Sequence, residues 1–348
     1  MHFDLTDEQK MLQANLRALL AEAVDLNAMT QAAPADIAAL QTKLDPSLAE
    51  MGIPAILASA AQGGLELGLL TLAAVSEELG RSAAPSASIR NALAAWLIAE
   101  FGDDAQRATW LDPLLNGAVR AAFAPGDITF ADGVLSGVAA HVEGANSADL
   151  FIVGVADQQL ALAPASDAIE IATPQPLDVA RPTSTTTFKA AAATLLEAGA
   201  DTSERLRQAH LIVLAADAYG AGQRAHDMAV AYALERKQFD RAIGSFQAIK
   251  HQLADAALVM APARFLPWRA AHAWDTNAAD ASRLATLAKA HTPEVAVTTA
   301  RAMVEAHGGV GYTWEYPLHL FLKRAMYDRV AWGGPNFHRA AAARTAAW

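Results

Sequence analysis

The stretch from Tyr232 to Lys250, YALERKQFDRAIGSFQAIK, lies between two long segments whose apolar residues follow helical spacing. Its centre, Gln238 to Ser245, predicts a short connector, because Gly244 interrupts the helical pattern. Cations and aromatic rings gather in and beside this connector: Arg236, Lys237, Arg241, Phe239 and Phe246. The fork of an arginine matches phosphate oxygens, and aromatic faces suit a planar ring system. The stretch therefore predicts either a dinucleotide-binding corner or a plain helix–helix corner whose aromatic side chains pack into the core.

Composition indicates an ordered, helix-rich protein. The 348 residues are 53% hydrophobic and 18% charged, with runs of alanine throughout, which is typical of packed helices rather than of disordered chains. The formal net charge is -11, and no long block of like charges occurs. Because nucleic-acid binding usually needs a basic patch, we expect no nucleic-acid partner.

The cysteine content and the N-terminal sequence bear on the chemistry and on the cellular location of the protein. The sequence contains no cysteine, which excludes disulfides and thiol catalysis. Its first residues, MHFDLTDE, are acidic and lack the basic and apolar segments of a secretory signal. No uncharged apolar run reaches the roughly 18 residues needed to cross a bilayer. These patterns predict a cytoplasmic protein without membrane contact.

Residues 1–120 predict a helical N-terminal domain. Thr6 and Gln9 form the pattern of a capping box, which starts a helix through Leu20. Gly63 and Gly64 predict a loop. Further helices are predicted over Asp36–Met51, Leu69–Gly80, Ile89–Phe101 and Gln106–Leu115.

Residues 121–198 predict a small β domain, because short β-prone runs alternate with turn residues. The runs begin at Val134, Leu150, Leu160, Ile169 and Thr183. Several short strands of this kind indicate a sandwich or a barrel.

Residues 199–348 predict a C-terminal four-helix bundle, since long amphipathic helices need antiparallel partners. The predicted helices are Thr202–Arg236, Ala248–Trp274, Asp280–Glu305 and Trp314–Arg324, with kinks or breaks at Pro262, Pro267 and Pro293. Gly220 and Gly222 inside the first helix indicate close packing against a neighbour. The chain is thus predicted to be mainly α with a small β domain.

Two spaced motifs in the C-terminal half resemble those of the acyl-CoA dehydrogenase family. The first comprises Glu235, Arg236, Phe239, Phe246, Gln247 and Ile249; the second comprises Gly308, Gly309, Gly311, Tyr312, Glu315, Tyr316 and Pro317. The resemblance extends to the N-terminal third, through Gly63-Gly64-Leu65, Glu77-Glu78-Leu79-Gly80-Arg81 and Ala84-Pro85. It implies that family's fold, with an N-terminal helical domain, a middle β domain and a C-terminal bundle through which subunits pair.

The resemblance implies FAD as cofactor and nominates residues that contact it. They are Arg236, Gln238, Phe239, Ile243, Phe246, Gln247, Glu305, Gly308 and Gly309. Glu305 stands where the family has a glutamine, and a carboxylate there would repel a phosphate. From the residues alone, Gly308 to Gly311 either allows close backbone approach to a ligand or is a plain turn.

The sequence departs from the family pattern at the flavin-holding loop and at the catalytic base. The loop is shortened to Phe123-Ala-Pro-Gly-Asp127, without the usual hydroxyl and glutamate. The usual base position falls on Gly333, or on Trp332 in a register slipped by one, and the alternative position falls on His210. No Asp or Glu follows Asp328.

The histidines leave two interpretations open. His210 is either a base or a structural helix histidine, and His307 and His338 have structural interpretations. No spacing of histidines and carboxylates indicates a metal site.

The resemblance implies an FAD-dependent acyl-CoA dehydrogenase, which desaturates an acyl-CoA thioester between its α and β carbons. Without a base, the chain resembles the non-catalytic subunit of heterotetrameric members that degrade steroid side chains. Its partners would be a catalytic subunit or a second copy, an acyl-CoA, and an acceptor such as electron-transfer flavoprotein. The alternatives are a self-sufficient dehydrogenase or related flavin oxidoreductase with an unidentified base, and a flavin-free structural homologue.

Overall fold

The structure, a computed structural model, describes residues 4–344 apart from the side chain of Asp127. It is mainly α-helical with a β-sheet between two helical regions, as predicted. The helices before the sheet are α1 (Asp7–Ala23), α2 (Leu26–Met29), α3 (Pro34–Glu50), α4 (Gly68–Arg81), α5 (Ser88–Phe101) and α6 (Asp104–Leu115). The predicted capping box is confirmed: the Thr6 hydroxyl accepts from the Gln9 amide, and the Gln9 side chain accepts from the Thr6 amide.

The middle strands form one curled sheet of seven strands within the described residues, in the order β5-β6-β2-β1-β3-β4-β7. The strands are β1 (Ala121–Ala131), β2 (Val134–Glu143), β3 (Leu150–Val155), β4 (Leu160–Pro164), β5 (Ile169–Ala172), β6 (Thr183–Ala192) and β7 (Thr194–Leu195). Phe151 on β3 and Phe188 on β6 meet edge to face at 5.9 Å in the buried core. The sheet therefore curls over a single apolar core, because these two strands are not neighbours in it.

Strand β1 connects the two halves of the sheet. Its first half pairs in parallel with β3, and its last three residues pair antiparallel with β2. Between Ala124 and Ile128 the register shifts, so that residues 125–127 form a bulge opposite Gly154. The shortened loop of the sequence is thus a bulge within a continuous strand.

The helices after the sheet are α7 (Ala200–Glu235), α8 (Gln247–Ala263), α9 (Phe265–Asp275), α10 (Ala281–Ala306), α11 (Leu318–Val330) and α12 (Pro335–Arg344). The break predicted near Pro262 and Pro267 is observed between α8 and α9, whereas α10 continues through Pro293. The predicted start at Trp314 is wrong: α11 begins after Pro317, since the residue before a proline is disfavoured in a helix. Helix α12 was not predicted.

By their contacts the residues group into two compact units. The first contains the described parts of Met1–Ile37, Ala73–Ala84 and His210–Trp348, and the second contains Ala38–Leu72 and Pro85–Ala209. In the first unit, α10 packs against α8, α9, α11 and α12. No helix among residues 4–344 combines the length and apolarity that crossing a bilayer requires.

Backbone contact between α4 and α7 organises the first unit. A Cβ atom built on Gly220 would lie 1.9 Å from the Glu77 carbonyl oxygen, and one built on Gly80 would lie 2.0 Å from that of Asp217. Such distances exclude any side chain, so the two helices touch through their main chains. Gly222 similarly abuts Ala296 of α10. The close packing predicted from the two glycines of α7 is confirmed.

Gly220→Ala tests this crossing. In an unobstructed helix the change to alanine would stabilise by about 0.5–1 kcal/mol. Because the added methyl group would overlap a carbonyl oxygen, we expect a loss of about 1–3 kcal/mol or more in the free energy of unfolding, measured in urea. The matched control is Gly199→Ala, whose Cβ meets nothing within 4 Å and should shift stability by about 0.5 kcal/mol at most. Stabilisation by Gly220→Ala would contradict the crossing.

Candidate cofactor-binding corner and base position

The predicted connector after α7 is a tight hairpin. Strand β8 (Lys237–Gln238) pairs antiparallel with β9 (Arg241–Ala242). Phe239 and Asp240 at its tip have φ of 53° and 58°, as a type I′ turn requires. The Arg236 carbonyl accepts from the Ile243 amide at 2.8 Å, which closes the hairpin before a 3-10 turn leads into α8. The hairpin itself gave no sequence signal, because its tip lacks the usual Asn-Gly pair.

The corner presents its cations and rings to the surface. Phe239 is 88% exposed and meets Phe246 edge to face at 6.1 Å. The Arg241 guanidinium lies 4.0 Å from the centre of the Phe246 ring. Arg236 is exposed, and its side chain makes no hydrogen bond or ion pair with any described residue. The interpretation that the aromatic side chains pack into the core does not hold for Phe239.

The remaining predicted contact residues occupy the same corner. Gln238 and Gln247 are exposed, and Ile243 is half-buried. The Gln238 side chain donates to the Lys237 carbonyl at 2.7 Å. A Cβ on Gly244 would lie 2.9 Å from the Ala233 carbonyl, so glycine lets the hairpin pack against the end of α7.

An aromatic cluster joins the end of α7 to the glycine motif. Tyr232 stacks on His307 at 4.5 Å, and His307 lies 4.7 Å from the Tyr316 ring. Burial lowers the pKa of His307, although its hydrogen bond to the Met303 carbonyl opposes this. The two motifs predicted to contact a cofactor therefore meet within the first unit, and His307 has the structural role expected for it.

The glycine motif itself is a 3-10 turn after α10. Gly308 has φ of +64°, and added Cβ atoms on Gly308 and Gly309 would meet nothing within 4 Å. A Cβ added to Gly311 would instead lie 2.5 Å from the Val304 carbonyl oxygen, so the main chain is close-packed there. Glu305 is exposed in the last turn of α10. The turn therefore leaves open space beside Gly308 and Gly309.

The two positions at which a base was sought lie against each other. His210 is buried, and its ring stacks on Trp332 at 4.3 Å with an interplanar angle of 19°. Gly333 follows with φ of +106°, and a Cβ there would lie 2.9 Å from the Phe337 ring and 3.0 Å from His338 Nε2. A side chain at position 333 would therefore be strained by this positive φ, and the Phe337 and His338 side chains would have to shift to admit it.

The turn is fixed by its own carbonyl groups. Lys289 Nζ donates to the carbonyls of Arg329 at 3.2 Å and of Gly333 at 3.0 Å. His338 Nε2 donates to the Trp332 carbonyl at 3.0 Å, the structural role expected for this histidine. Lys289 is 1% exposed. Sequence reasoning missed it, although a lone lysine between alanines in an apolar helix was a usable signal.

The described residues contain no group of three or more histidines and carboxylates that could hold a metal ion. The cofactor contacts nominated from the sequence remain predictions, since no bound ligand tests them.

Lys289→Met tests how the turn is held. Burial lowers the pKa of Lys289 from an ordinary 10.5 to about 8, and the charge of Asp328 opposes this shift. Between about pH 8 and 10.5, Lys289 is mostly neutral in the folded chain and mostly protonated in the unfolded chain, so unfolding takes up a proton. Raising the pH through this range therefore increases the free energy of unfolding of the wild type by up to about 1.4 kcal/mol per pH unit. Lys289→Met lacks this gain, and its deficit in free energy of unfolding should grow with pH from about 8 to 10.

The measurement is urea unfolding of wild type and variant at a series of pH values. Lys43→Met, at an exposed position of α3, is the matched control for removing a lysine. Parallel pH curves for Lys289→Met and wild type would contradict the assignment.

Two protein-family models match the chain. The acyl-CoA dehydrogenase N-terminal domain matches residues 6–118, and the acyl-CoA dehydrogenase C-terminal domain matches residues 203–347. The chain is 45% identical over 115 residues to the acyl-CoA dehydrogenase IpdE2 of Mycobacterium tuberculosis, which covers 33% of this chain and 34% of that protein. The match thus spans about a third of the length of this curated relative. A probable acyl-CoA dehydrogenase of the same species, FadE25, is 31% identical over 131 residues, which cover 38% of this chain and 34% of that protein.

Solved structures match over nearly the whole chain. A steroid acyl-CoA dehydrogenase variant, Tcur3481–Tcur3483 G363A, is 26% identical with a TM-score of 0.84 and covers 97% of both chains. The ChsE4–ChsE5 complex of Mycobacterium tuberculosis shares the fold, with 22% identity, a TM-score of 0.86, and coverage of 99% of this chain and 98% of that chain. Together with the two motif-bearing segments described above, these matches show that the chain belongs to the acyl-CoA dehydrogenase family.

Proposed function

We propose that the chain is the non-catalytic subunit of a heteromeric, FAD-dependent acyl-CoA dehydrogenase. The observation that carries the proposal is the turn at Gly333. Removal of an α-proton from a thioester needs a base within hydrogen-bonding reach of it. The family base position is Gly333, which has no side chain to accept a proton and whose positive φ disfavours one, and the alternative position is His210, buried under Trp332.

The exposed corner after α7 fits the pyrophosphate end of FAD. Arg236 offers a guanidinium fork without a competing partner among the described residues, and such forks bind phosphate in pairs of charge-assisted hydrogen bonds. Phe239 and Phe246 add apolar ring faces beside it. When bound, FAD would supply the hydride acceptor of the reaction, and the role of Arg236 would be to bind and orient it.

The β domain supports a division of labour between subunits. Residues 125–127 form a bulge in β1 rather than a loop, and the sequence there lacks the glutamate and hydroxyl that family members use around the flavin ring. Glu305 adds a carboxylate near the glycine motif. The chain thus retains the phosphate-binding corner and lacks the ring-holding loop, as expected of a subunit that completes a partner's FAD site.

Exposed apolar side chains on the corner and on the C-terminal helices fit a protein partner. Large apolar side chains are exposed on the end of α7, the hairpin tip, α8 and the segment after α10: Leu234, Phe239, Leu258, Tyr312 and Trp314. Phe239 also holds a left-handed conformation that costs on the order of 1–3 kcal/mol. Exposed apolar surface of this kind marks interfaces. Two of the similar structures, Tcur3481–Tcur3483 and ChsE4–ChsE5, carry the names of two different chains, which supports an unlike partner.

In this proposal the partner subunit supplies the base and the ring pocket. The acyl-CoA binds to the assembled enzyme, and an acceptor such as electron-transfer flavoprotein takes the electrons. A steroid-derived acyl group is favoured by the similarity to a steroid acyl-CoA dehydrogenase variant. A candidate partner is a full-length homologue encoded in a neighbouring reading frame.

The chain alone should show almost no acyl-CoA dehydrogenase activity. A general base contributes typically about 10²–10⁴-fold to the rate, and this chain has no carboxylate at either base position. Dye reduction with a series of acyl-CoA thioesters, measured for the single chain and for the co-expressed complex, should detect activity in the complex only. Robust turnover by the single chain, lost in His210→Ala, would favour a self-sufficient enzyme instead.

Arg236→Ala should weaken FAD binding by the complex by roughly 10- to 150-fold, because a charge-assisted contact is lost. Arg236→Lys should restore only part of the affinity, since a point charge does not reproduce the fork. The measurement is flavin bound per co-purified complex. Arg283→Ala, another exposed arginine in the first turn of α10, is the matched control. Unchanged flavin content in an intact Arg236→Ala complex would refute the role of this corner.

A further inference from the structure

A second site candidate lies in the first unit, where α1, the end of α4 and α7 enclose a cavity of about 270 Å³. Three arginines line it, Arg17, Arg81 and Arg224, together with Ser82. The described lining contains no acidic side chain. The cavity therefore has a cationic side, which none of the cofactor motifs explains.

Two of the three arginines are neutralised by partners outside the lining. Arg17 binds Glu78 through two hydrogen bonds of 2.6 and 2.9 Å, and Arg81 lies 2.6 Å from Asp227. Burial opposes ionisation of Asp227, but hydrogen bonds from His226, Gln223 and Arg81 hold its pKa well below the usual range. Both pairs are thus neutral as wholes.

Arg224 is the unbalanced cation. It is half-buried, and its guanidinium makes no hydrogen bond or ion pair with any described residue. Burial and the neighbouring charge of Arg81 lower the pKa of Arg224, and the charges of Asp227 and Tyr316 oppose this only in part. The Ser82 hydroxyl on the same wall also lacks a hydrogen-bond partner in the described chain. A half-buried cation without a partner costs free energy that a bound anion would offset.

The opposite side of the cavity is apolar. Leu20, Ala21 and Val24 of α1 and Leu26 of α2 form it. A ligand that fills the cavity must therefore combine one negative charge with a small hydrocarbon part. We propose that this cavity is a binding site for a small organic carboxylate, whose carboxylate lies on Arg224 and Ser82 and whose hydrocarbon part lies on Leu20 and Val24.

An adjoining cavity differs from the first in the charged residues that line it. It has about 350 Å³ and shares Arg17 and Arg81, but Glu77 and Asp227 also line it. Arg264 there is already paired with Glu77 at 2.7 Å. Arg17 and Arg81 are paired as described above, so no lining arginine of this second cavity is left to bind an anion, and the carboxylate is assigned to the first cavity alone.

The test is a ligand-detected NMR titration of the full-length chain with butyrate, with its uncharged isostere butyramide, and with inorganic phosphate. Wild type should bind butyrate at least about tenfold more tightly than butyramide, because only the anion meets Arg224. Arg224→Met should weaken butyrate binding roughly 10- to 100-fold. Arg224→Lys should retain part of the affinity, and Arg283→Met, which removes an exposed arginine elsewhere, should retain all of it.

Three results would overturn the proposal. Equal binding of butyrate and butyramide by wild type would show that charge plays no part, and this comparison needs no variant to fold. Undiminished butyrate binding by folded Arg224→Met would show that Arg224 does not bind the carboxylate. If phosphate at an equal concentration displaced butyrate, the ligand class of the cavity would be phosphates and not carboxylates. None of these readouts depends on flavin, on a partner subunit or on dehydrogenase activity.

Discussion

The buried ion pair between Arg324 and Asp217 is the constraint on which the first unit depends. Both side chains are fully buried, with Arg324 Nη1 3.4 Å from each carboxylate oxygen of Asp217. Arg324 Nη2 also donates to the Ala84 carbonyl at 3.2 Å. One guanidinium thus links α11, α7 and the segment after α4. Removing one partner of such a pair typically costs about 3–5 kcal/mol, because the other charge stays buried without compensation.

This arrangement requires the glycine crossing beside it. The Asp217 carbonyl occupies the space where a Gly80 side chain would lie, so α7 can approach α4 only through bare main chain. The same approach brings Arg224 and Asp227, about two and three turns beyond Asp217 along α7, to the arginines of α1 and α4. The carboxylate cavity is therefore a consequence of how closely these helices meet, rather than of any local sequence motif.

The predicted base position and the predicted cofactor corner differ in how exposed they are. Helix α11 leads from Arg324 into a turn whose carbonyls are bound by Lys289 and His338, and the positive φ of Gly333 in this turn disfavours any side chain there. At the other end of α7, the hairpin keeps Arg236 and Phe239 at the surface. A glycine turn at the family base position and an exposed cationic corner in one chain are the combination on which the proposed non-catalytic role rests.

Local signals in the sequence determined much of the fold. The capping box at Thr6 and the proline-induced break between α8 and α9 depend on residues within a turn or two of each other, so their outcome could be predicted. The same reasoning predicted that a helix begins at Trp314, whereas α11 begins after Pro317. It also did not predict the hairpin whose tip is Phe239.

The sequence by itself also determined that no carboxylate stands at either predicted base position and that cations and aromatic rings gather in the corner after α7. Only the tertiary structure decided that His210 and Trp332 stack on each other, that Lys289 binds the turn at Gly333, and that Arg224 faces a cavity without a partner. Each of these relations joins side chains far apart in the chain. Helical periodicity predicts which face of a helix is apolar, but it does not specify which distant residue that face will meet, because that depends on how all the helices pack together.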